Sequence, residues 1–256
     1  MSAGATFRRE GVPVAFGVAC LLALVALVEV LIRVGLINPF IVPKPTDIVM
    51  SFERIILEEN ILPRFFLTCG EALMASLMLS VAGISIGVLL HKSRIVRLAT
   101  ETWIAAVASA PLVLMYPLFL VIFGRSAWTI IMIAFVAALP PVILKTLEGL
   151  SSTRPVLINV GRSFKLTPSQ LYWKILFPSA LPTIFVGVRL GMIFALINIV
   201  GVEFLINFGG LGQLVNELAE RYDLPGTYAA ICFVILVSVL FFIGTERIER
   251  WLRPGT

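Results

Sequence analysis

The strongest constraint on the fold is a series of apolar runs, each close to the length that crosses a lipid bilayer. An apolar helix of about 20 residues spans the hydrocarbon core, because each residue rises about 1.5 Å. Only 14% of the 256 residues are charged, which is too few to cover a soluble domain of this length. We therefore predict an all-α membrane protein with about six transmembrane helices, at residues 13–36, 65–90, 98–123, 127–147, 181–206 and 228–245.

Basic residues are divided unequally between the two sets of segments that join these runs. With both termini on the same side, thirteen lysines and arginines lie in the N-terminal segment, the 91–97 turn, the 145–178 loop and the tail. Only five lie in the remaining connecting segments. Since cytoplasmic loops carry the excess of basic residues, we predict that both termini are cytoplasmic. This topology accounts for the net charge of +5, so we expect no nucleic-acid partner.

The sequence lacks the short motifs of several enzyme classes. It contains no G-x-x-x-x-G-K-[ST] phosphate loop, so we expect no ATPase site and no bound cofactor on this chain. It contains no H-E-x-x-H and a single histidine, so we expect no metal site. Without a G-x-S-x-G motif, acyl transfer is not expected either. Movement of a solute or a structural role remains.

The longest polar interruption of the apolar pattern runs through residues 159–182. It carries three cations, and three prolines in it predict short helical pieces separated by breaks. The cations are Arg162, Lys165 and Lys174, and the prolines are Pro168, Pro178 and Pro182.

This loop resembles the cytoplasmic loop of binding-protein-dependent ABC importer permeases. The family pattern is Glu-Ala-Ala, three residues, Gly, nine residues, Ile-x-Leu-Pro. In this chain 159–161 stand at the Glu-Ala-Ala place, Lys165 at the Gly place and 175–178 at the Ile-x-Leu-Pro place. The spacing is kept, while Asn159, Lys165 and Phe177 depart from the family residues.

Motifs elsewhere extend the resemblance over about residues 40–250. They are similar to the subgroup that imports nitrate, taurine, alkyl sulfonates, bicarbonate, or thiamine and riboflavin precursors. The matching positions are Pro43-x-Pro45-x-Asp47, Gly187-Val188-Arg189, Glu203 and Gly210-Leu211-Gly212.

The resemblance implies a type I ABC importer permease fold, similar to the methionine importer, in one transmembrane domain covering 1–256. It implies a cytoplasmic coupling loop at 148–180 and outer segments at 38–64 and 207–227. The implied partners are cytoplasmic ABC ATPase subunits that carry ATP and Mg, a second permease copy or homologue, and membrane lipid. A periplasmic or lipid-anchored substrate-binding protein would dock on the outer segments, and the location would be the bacterial inner membrane.

Carried over residue by residue, the resemblance implies an ATPase-coupling surface in the loop. A short helix with apolar anchors can sit in a groove of a soluble partner. We expect Val160, Phe164 and Leu171 to be the anchors and Arg162 and Lys165 to form the rim. The complete predicted set is Asn159, Val160, Gly161, Arg162, Phe164, Lys165, Leu171, Ile175, Phe177 and Pro178.

Four residues inside the apolar runs are candidates for the translocation pathway. Pro111 and Pro117 predict either a packing kink or an unwound helix that lines a cavity. Arg189 is either a structural partner or a cation that faces the pathway and favours anions. Glu203 is either a tie between helices or part of a gate. A membrane scaffold without transport, or a secondary transporter, are the alternatives to an importer subunit.

Overall fold

The structure is a computed structural model that describes the backbone of residues 3–252 and the side chains of residues 13 and 15–247. Every regular element in this part of the chain is helical. The helices are α1 (Ala3–Arg33), α2 (Pro45–Glu58), α3 (Ile61–Lys92), α4 (Arg94–Ala108), α5 (Tyr116–Phe123), α6 (Ala127–Ser151), α7 (Pro155–Ser163), α8 (Pro168–Leu171), α9 (Phe177–Ile206), α10 (Gly210–Glu220) and α11 (Leu224–Leu252).

Five helices contain a stretch that is long and apolar enough to cross a membrane: α1, α3, α6, α9 and α11. The bent pair formed by α4 and residues 112–123 makes a sixth if it crosses as one unit. The prediction of an all-α membrane protein with about six spans is therefore confirmed. The side chains of four arginines near the two ends, on which the predicted orientation partly depends, lie outside the described residues: Arg8, Arg9, Arg250 and Arg253.

The third predicted span is broken rather than kinked. α4 ends at Ala108, a 3₁₀ turn covers Leu112–Met115, and the two halves are bent by 85°. Pro111 lies at this break, where its ring favours an extended preceding residue and supplies no N–H. Pro117 causes no break, because it lies in the first turn of α5, where that N–H has no helical partner.

The predicted breaks at Pro178 and Pro182 are wrong. α8 continues into α9 through a widened π turn at Tyr172–Leu176. Within it the N–H of Phe177 donates to the carbonyl of Tyr172, five residues earlier. Such a turn leaves room for the ring of Pro178, which follows directly and would otherwise meet a carbonyl four residues back. The helix of the fifth span therefore begins before residue 181.

The core forms where α6 lies between α3 and α9 at close range. A Cβ atom on Gly83 of α3 would lie 2.6 Å from Cγ1 of Val142, and one on Gly87 would lie 2.6 Å from Cβ of Thr146. On the other side, a Cβ on Gly191 of α9 would lie 2.6 Å from Cγ2 of Val142. The glycines thus let the three backbones approach each other, as small residues do between membrane helices.

The outer segments pack against each other and against the end of α11. α2 and α10 bury an apolar cluster between them, which contains Ile55, Leu214 and Leu218, each fully buried. Ala230 of α11 completes the cluster. The two predicted outer segments, which are distant in sequence, therefore form one packed unit, called the outer unit below.

Candidate functional site

The loop that carries the family-like pattern is built around α7. This helix ends in a Schellman motif: the N–H of Leu166 donates to the carbonyl of Gly161 at 3.1 Å, and that of Lys165 donates to Arg162 at 2.9 Å. The motif requires a left-handed residue after the helix, and Lys165 occupies that position with a φ of 52°. Glycine adopts this conformation without the steric cost that a lysine carries.

Gly161 is the contact point between α7 and the chain that leads into α9. It is buried, and a Cβ atom there would lie 2.5 Å from Cδ1 of Leu171 and 2.6 Å from Cδ1 of Ile175. Leu171 is half-buried by this contact and so packs within the loop, together with the half-buried Ile175 and Phe177. These predicted coupling residues therefore contribute to the internal packing of the loop.

The other predicted coupling residues lie on the surface of the loop. Phe164 is 76% exposed and Val160 is 46% exposed. Val156, four residues before Val160, extends the same apolar face and is 69% exposed; sequence reasoning missed it, although the i, i+4 spacing indicates a shared face. The remaining exposed members of the predicted set are Asn159, Arg162, Lys165 and Pro178.

Glu203 lies at a junction of three helices. Its carboxylate accepts a 2.8 Å hydrogen bond from the N–H of Gly212 at the start of α10, and a 2.6 Å bond from the hydroxyl of Thr68 on α3. The Thr68 hydroxyl also accepts a 3.0 Å bond from the N–H of Leu211. This geometry favours a tie between helices for Glu203, and its role in the pathway stays a prediction.

Glu71 belongs to the same junction and was missed by the sequence reasoning. It lies one turn after Thr68 on α3, is 3% exposed, and interacts with the Glu203 carboxyl. No N–H or hydroxyl among the described residues donates to the oxygens of Glu71, which face the Glu203 carboxyl. An acid inside the predicted span 65–90 was the available signal, because ionisable residues within membrane spans mark functional positions.

The four pathway candidates are not gathered in one place. Arg189 and Glu203 are separated by fourteen residues, about 21 Å along α9. The Arg189 guanidinium lies over the ring of Phe242 on α11, 5.7 Å from its centre, which favours a structural contact. Pro111 and Pro117 are exposed at the broken span. A pathway role for these residues stays a prediction.

A cleft of about 470 Å³, lined by both apolar and charged residues, lies between α4 and α6, at a position that the sequence reasoning did not single out. Arg97 donates a 2.8 Å hydrogen bond to Ser151 across it. Glu101 and Glu148 also line the cleft, and Glu148 pairs with Lys145 at 2.6 Å. Cations and acids are thus both present along this surface.

Ion pairs hold the outer unit together. Arg54 of α2 pairs with Asp223, and this hydrogen bond raises the pKa of Arg54 above its ordinary value. Arg64 pairs with Glu217 of α10 at 2.7 Å. Links of this kind join the segments 38–64 and 207–227 that the resemblance assigns to the outer face.

The family model described as "binding-protein-dependent transport system inner membrane component" matches residues 80–254. The chain belongs to this family. It is a membrane-spanning subunit of an ATP-driven importer, in agreement with the prediction from the loop and its surrounding motifs.

Named relatives match most of the chain. The formylaminopyrimidine transport permease protein ThiX of Halalkalibacterium halodurans is 27% identical over 85% of this chain and 86% of its own. The taurine transport system permease protein TauC of Escherichia coli is 25% identical over 86% of this chain and 82% of its own. The nitrate import permease protein NrtB of Synechocystis is 28% identical over 69% of this chain and 64% of its own.

Solved structures confirm the predicted fold. A chain of the MetNI methionine ABC transporter in an inward-facing conformation superposes with a TM-score of 0.66 and 20% identity, covering 75% of this chain and 96% of its own. A chain of an amino acid ABC transporter crystallised with histidines superposes with a TM-score of 0.64 and 18% identity, and the match covers 78% of this chain and 98% of the other. The permease shares the type I importer fold with both.

Proposed function

We propose that this permease imports a small anion or small polar metabolite and is driven by a separate ATPase that docks on α7. Support for the substrate class comes from the transport proteins to which the chain is similar, which are named for a formylaminopyrimidine, aliphatic sulfonates, taurine, nitrate and bicarbonate. These solutes are small and polar, and several are anions. A substrate-binding protein, periplasmic or lipid-anchored, docks on the outer unit and selects among them.

The observation that carries the docking proposal is the exposed apolar face of α7. Phe164, Val160 and Val156, spaced four residues apart, form an exposed apolar face, and the cations Arg162 and Lys165 are exposed in the same loop. A helix of this kind binds in a groove, with the apolar side chains as anchors and the charges at the rim. Because Leu171 and Ile175 pack on Gly161, the face is held rigidly against the start of α9. Displacement of α7 therefore tilts the fifth span.

The remaining parts of the proposal follow from the family. The chain sits in the bacterial inner membrane with α7 on the cytoplasmic side, as its basic loops favour. ATP and Mg bind to the partner ATPase subunits, and two permease copies, or one copy and a homologue, enclose the pathway. Membrane lipid covers the remaining apolar surface.

The test is co-purification of the permease with its ATPase, followed by ATP hydrolysis in the presence of the binding protein. Phe164→Asp places a charge in the centre of the proposed interface, and we expect a loss of about 30-fold or more in ATPase affinity, as for a buried interface anchor. Phe164→Leu keeps an apolar anchor and is the control, with complex formation close to that of the unmodified chain.

Phe164 is preferred to Leu171 as the test position, because Leu171 contributes to the packing of the loop itself. A Phe164→Asp protein that retains its ATPase and its stimulated hydrolysis would sink the docking proposal. Uptake of labelled taurine, nitrate and sulfonates into proteoliposomes that contain the complete complex tests the substrate class separately. Transport of large apolar solutes alone would contradict it.

A further inference from the structure

The junction of α3, α9 and α10 contains two buried acids whose charges are not balanced. Glu203 is fully buried, Glu71 is 3% exposed, and the two carboxyls interact directly. Neither forms an ion pair with a lysine, arginine or histidine in the described part of the chain. Two ionised carboxylates in contact inside a protein repel each other, and each is costly to bury.

One of the two charges is compensated by the protein. The Glu203 carboxylate accepts hydrogen bonds from Thr68 and from the N–H of Gly212, at the positive end of the α10 dipole. Glu71 has no such support, because both of its oxygens are buried and no described N–H or hydroxyl donates to them, and the Glu203 carboxyl is the group that they face. The site therefore lacks one positive charge, and the missing charge belongs beside Glu71.

The groups around the pair do not supply that charge. Arg64, one turn before Thr68 on α3, is engaged with Glu217 of α10. Arg125, from the segment that follows α5, donates to the carbonyl of Asn207 at the end of α9. Cys69 is the other titratable side chain that interacts with Glu203.

The backbone of α10 packs closely against one side of the pair. A Cβ atom on Gly210 would collide with the Glu203 carboxylate, and one on Gly212 would lie 2.8 Å from the backbone N of Phe204. The backbone of α10 is thus pressed against this carboxylate. A proton shared by the two carboxyls, or a sodium ion held by their oxygens, would each supply one positive charge.

We propose that Glu71 and Glu203 together bind one small monovalent cation, a proton or a sodium ion, beneath the outer segment of the permease. The bound cation lets the two acids lie in contact and so keeps α3 and α9 joined at the N-terminus of α10. Loss of the cation separates the carboxyls and loosens the attachment of α10. This inference concerns the chain itself and is independent of the proposed substrate and ATPase contacts.

The test compares the unfolding temperature of the purified permease across two conditions that are varied separately. One arm lowers the pH from 8.5 to 6 with choline as the only salt cation, and the other replaces choline by sodium at pH 8.5. We expect the unfolding temperature to rise by about 4 °C in the arm that supplies the ion bound by the pair. A response to acid alone identifies the proton, and a response to sodium alone identifies the metal ion.

Glu71→Gln keeps the shape of the side chain and removes its charge, so it removes the need for a cation. The variant should lose the response of the wild type, and Glu71→Leu should do the same if the glutamine protein folds poorly. Glu101→Gln, at an exposed acid of α4, should retain the full response. Failure of the wild type to respond to either ion would overturn the proposal. Equal responses of the wild type and both Glu71 variants would overturn it as well.

Discussion

The hydroxyl of Thr68 donates a 2.6 Å hydrogen bond to the carboxylate of Glu203, 135 residues further along the chain. The same oxygen accepts the N–H of Leu211, so a single buried hydroxyl joins α3, α9 and α10. The stability of the outer end of the permease should therefore depend on it.

Thr68→Val tests this junction, because valine has nearly the shape of threonine but lacks the hydroxyl. The change leaves the N–H of Leu211 buried without an acceptor and removes one donor from Glu203. We expect a loss of about 1–3 kcal/mol in unfolding free energy, measured by denaturant titration in detergent. The control is Thr146→Val, since the buried Thr146 hydroxyl donates only to Val142 in its own helix. Equal losses for the two variants would contradict the role of the junction.

The close approach of α6 to α9 predicts that alanine is tolerated differently at Gly191 of α9 and at Gly70 of α3. Gly191→Ala places a Cβ atom 2.6 Å from Val142 and 3.1 Å from the carbonyl of Ala138, so the helices must separate. We expect this variant to lose about 1–3 kcal/mol of stability. Gly70→Ala, where no atom lies within 4 Å of the added carbon, should be neutral or slightly stabilising. Thermal unfolding of both proteins checks the difference, and a neutral Gly191→Ala would disprove the close packing.

Lys165→Gly should stabilise the loop. Lysine at a φ of 52° strains the end of α7, while glycine adopts this conformation freely. We expect a gain of about 1 kcal/mol, visible as slower amide hydrogen exchange at Leu166, whose N–H donates to the carbonyl of Gly161 in the Schellman motif. Lys165→Ala removes the same charge but keeps a Cβ atom, so it should show no gain. Equal gains for alanine and glycine would assign the effect to charge.

The pair of Arg54 and Asp223 should respond to salt more than to pH. The hydrogen bond to Asp223 raises the pKa of Arg54, so the contribution of Arg54 is the same at pH 6 and pH 9 and is lost only as the pH rises through that raised pKa, far above 9. A double-mutant cycle with Arg54→Met and Asp223→Asn should give a coupling of about 1 kcal/mol or less, since Arg54 is partly exposed. Concentrated salt should reduce it, and the same cycle at pH 6 and pH 9 should give equal values.

The predicted orientation can be tested with single cysteines in a background in which Cys20, Cys69 and Cys232 are replaced by serine. Tyr222 is 90% exposed beside α10, so a Tyr222→Cys variant should react with an impermeant maleimide added outside intact cells. Ser169→Cys, at the exposed start of α8, should react only after the membrane is opened. The reverse labelling pattern would place α7 on the outer side and exclude it as a docking site for a cytoplasmic ATPase.

Much of the architecture followed from local patterns in the sequence. Apolar runs of membrane length predicted the spans, and the spacing from Asn159 to Pro178 predicted the family. The break at Pro111 was also predictable, because a proline acts on its own helix. The continuity through Pro178 was not, because it depends on a π turn at which Tyr172 and Phe177 pack against a cluster that contains Leu150 of α6.

The candidate site was predictable only in part, for the same reason. Phe164 and Leu171 look alike as apolar residues of a polar loop, yet one is exposed and the other packs on Gly161. That division depends on how the chain folds back after Leu166. Likewise, the role of Lys165 at the glycine position became clear only from its left-handed backbone.

By itself the sequence determined which segments enter the membrane, which loops are basic and which family the chain belongs to, because hydropathy, charge and motif spacing act over a few residues to a few tens of residues. Only the tertiary structure decided that Glu71 meets Glu203, that Thr68 joins three helices and that the outer segments form one unit. These contacts bring together residues more than 100 positions apart, and their energies come from burial and hydrogen-bond geometry. Neither quantity exists until α3, α9 and α10 are packed against each other.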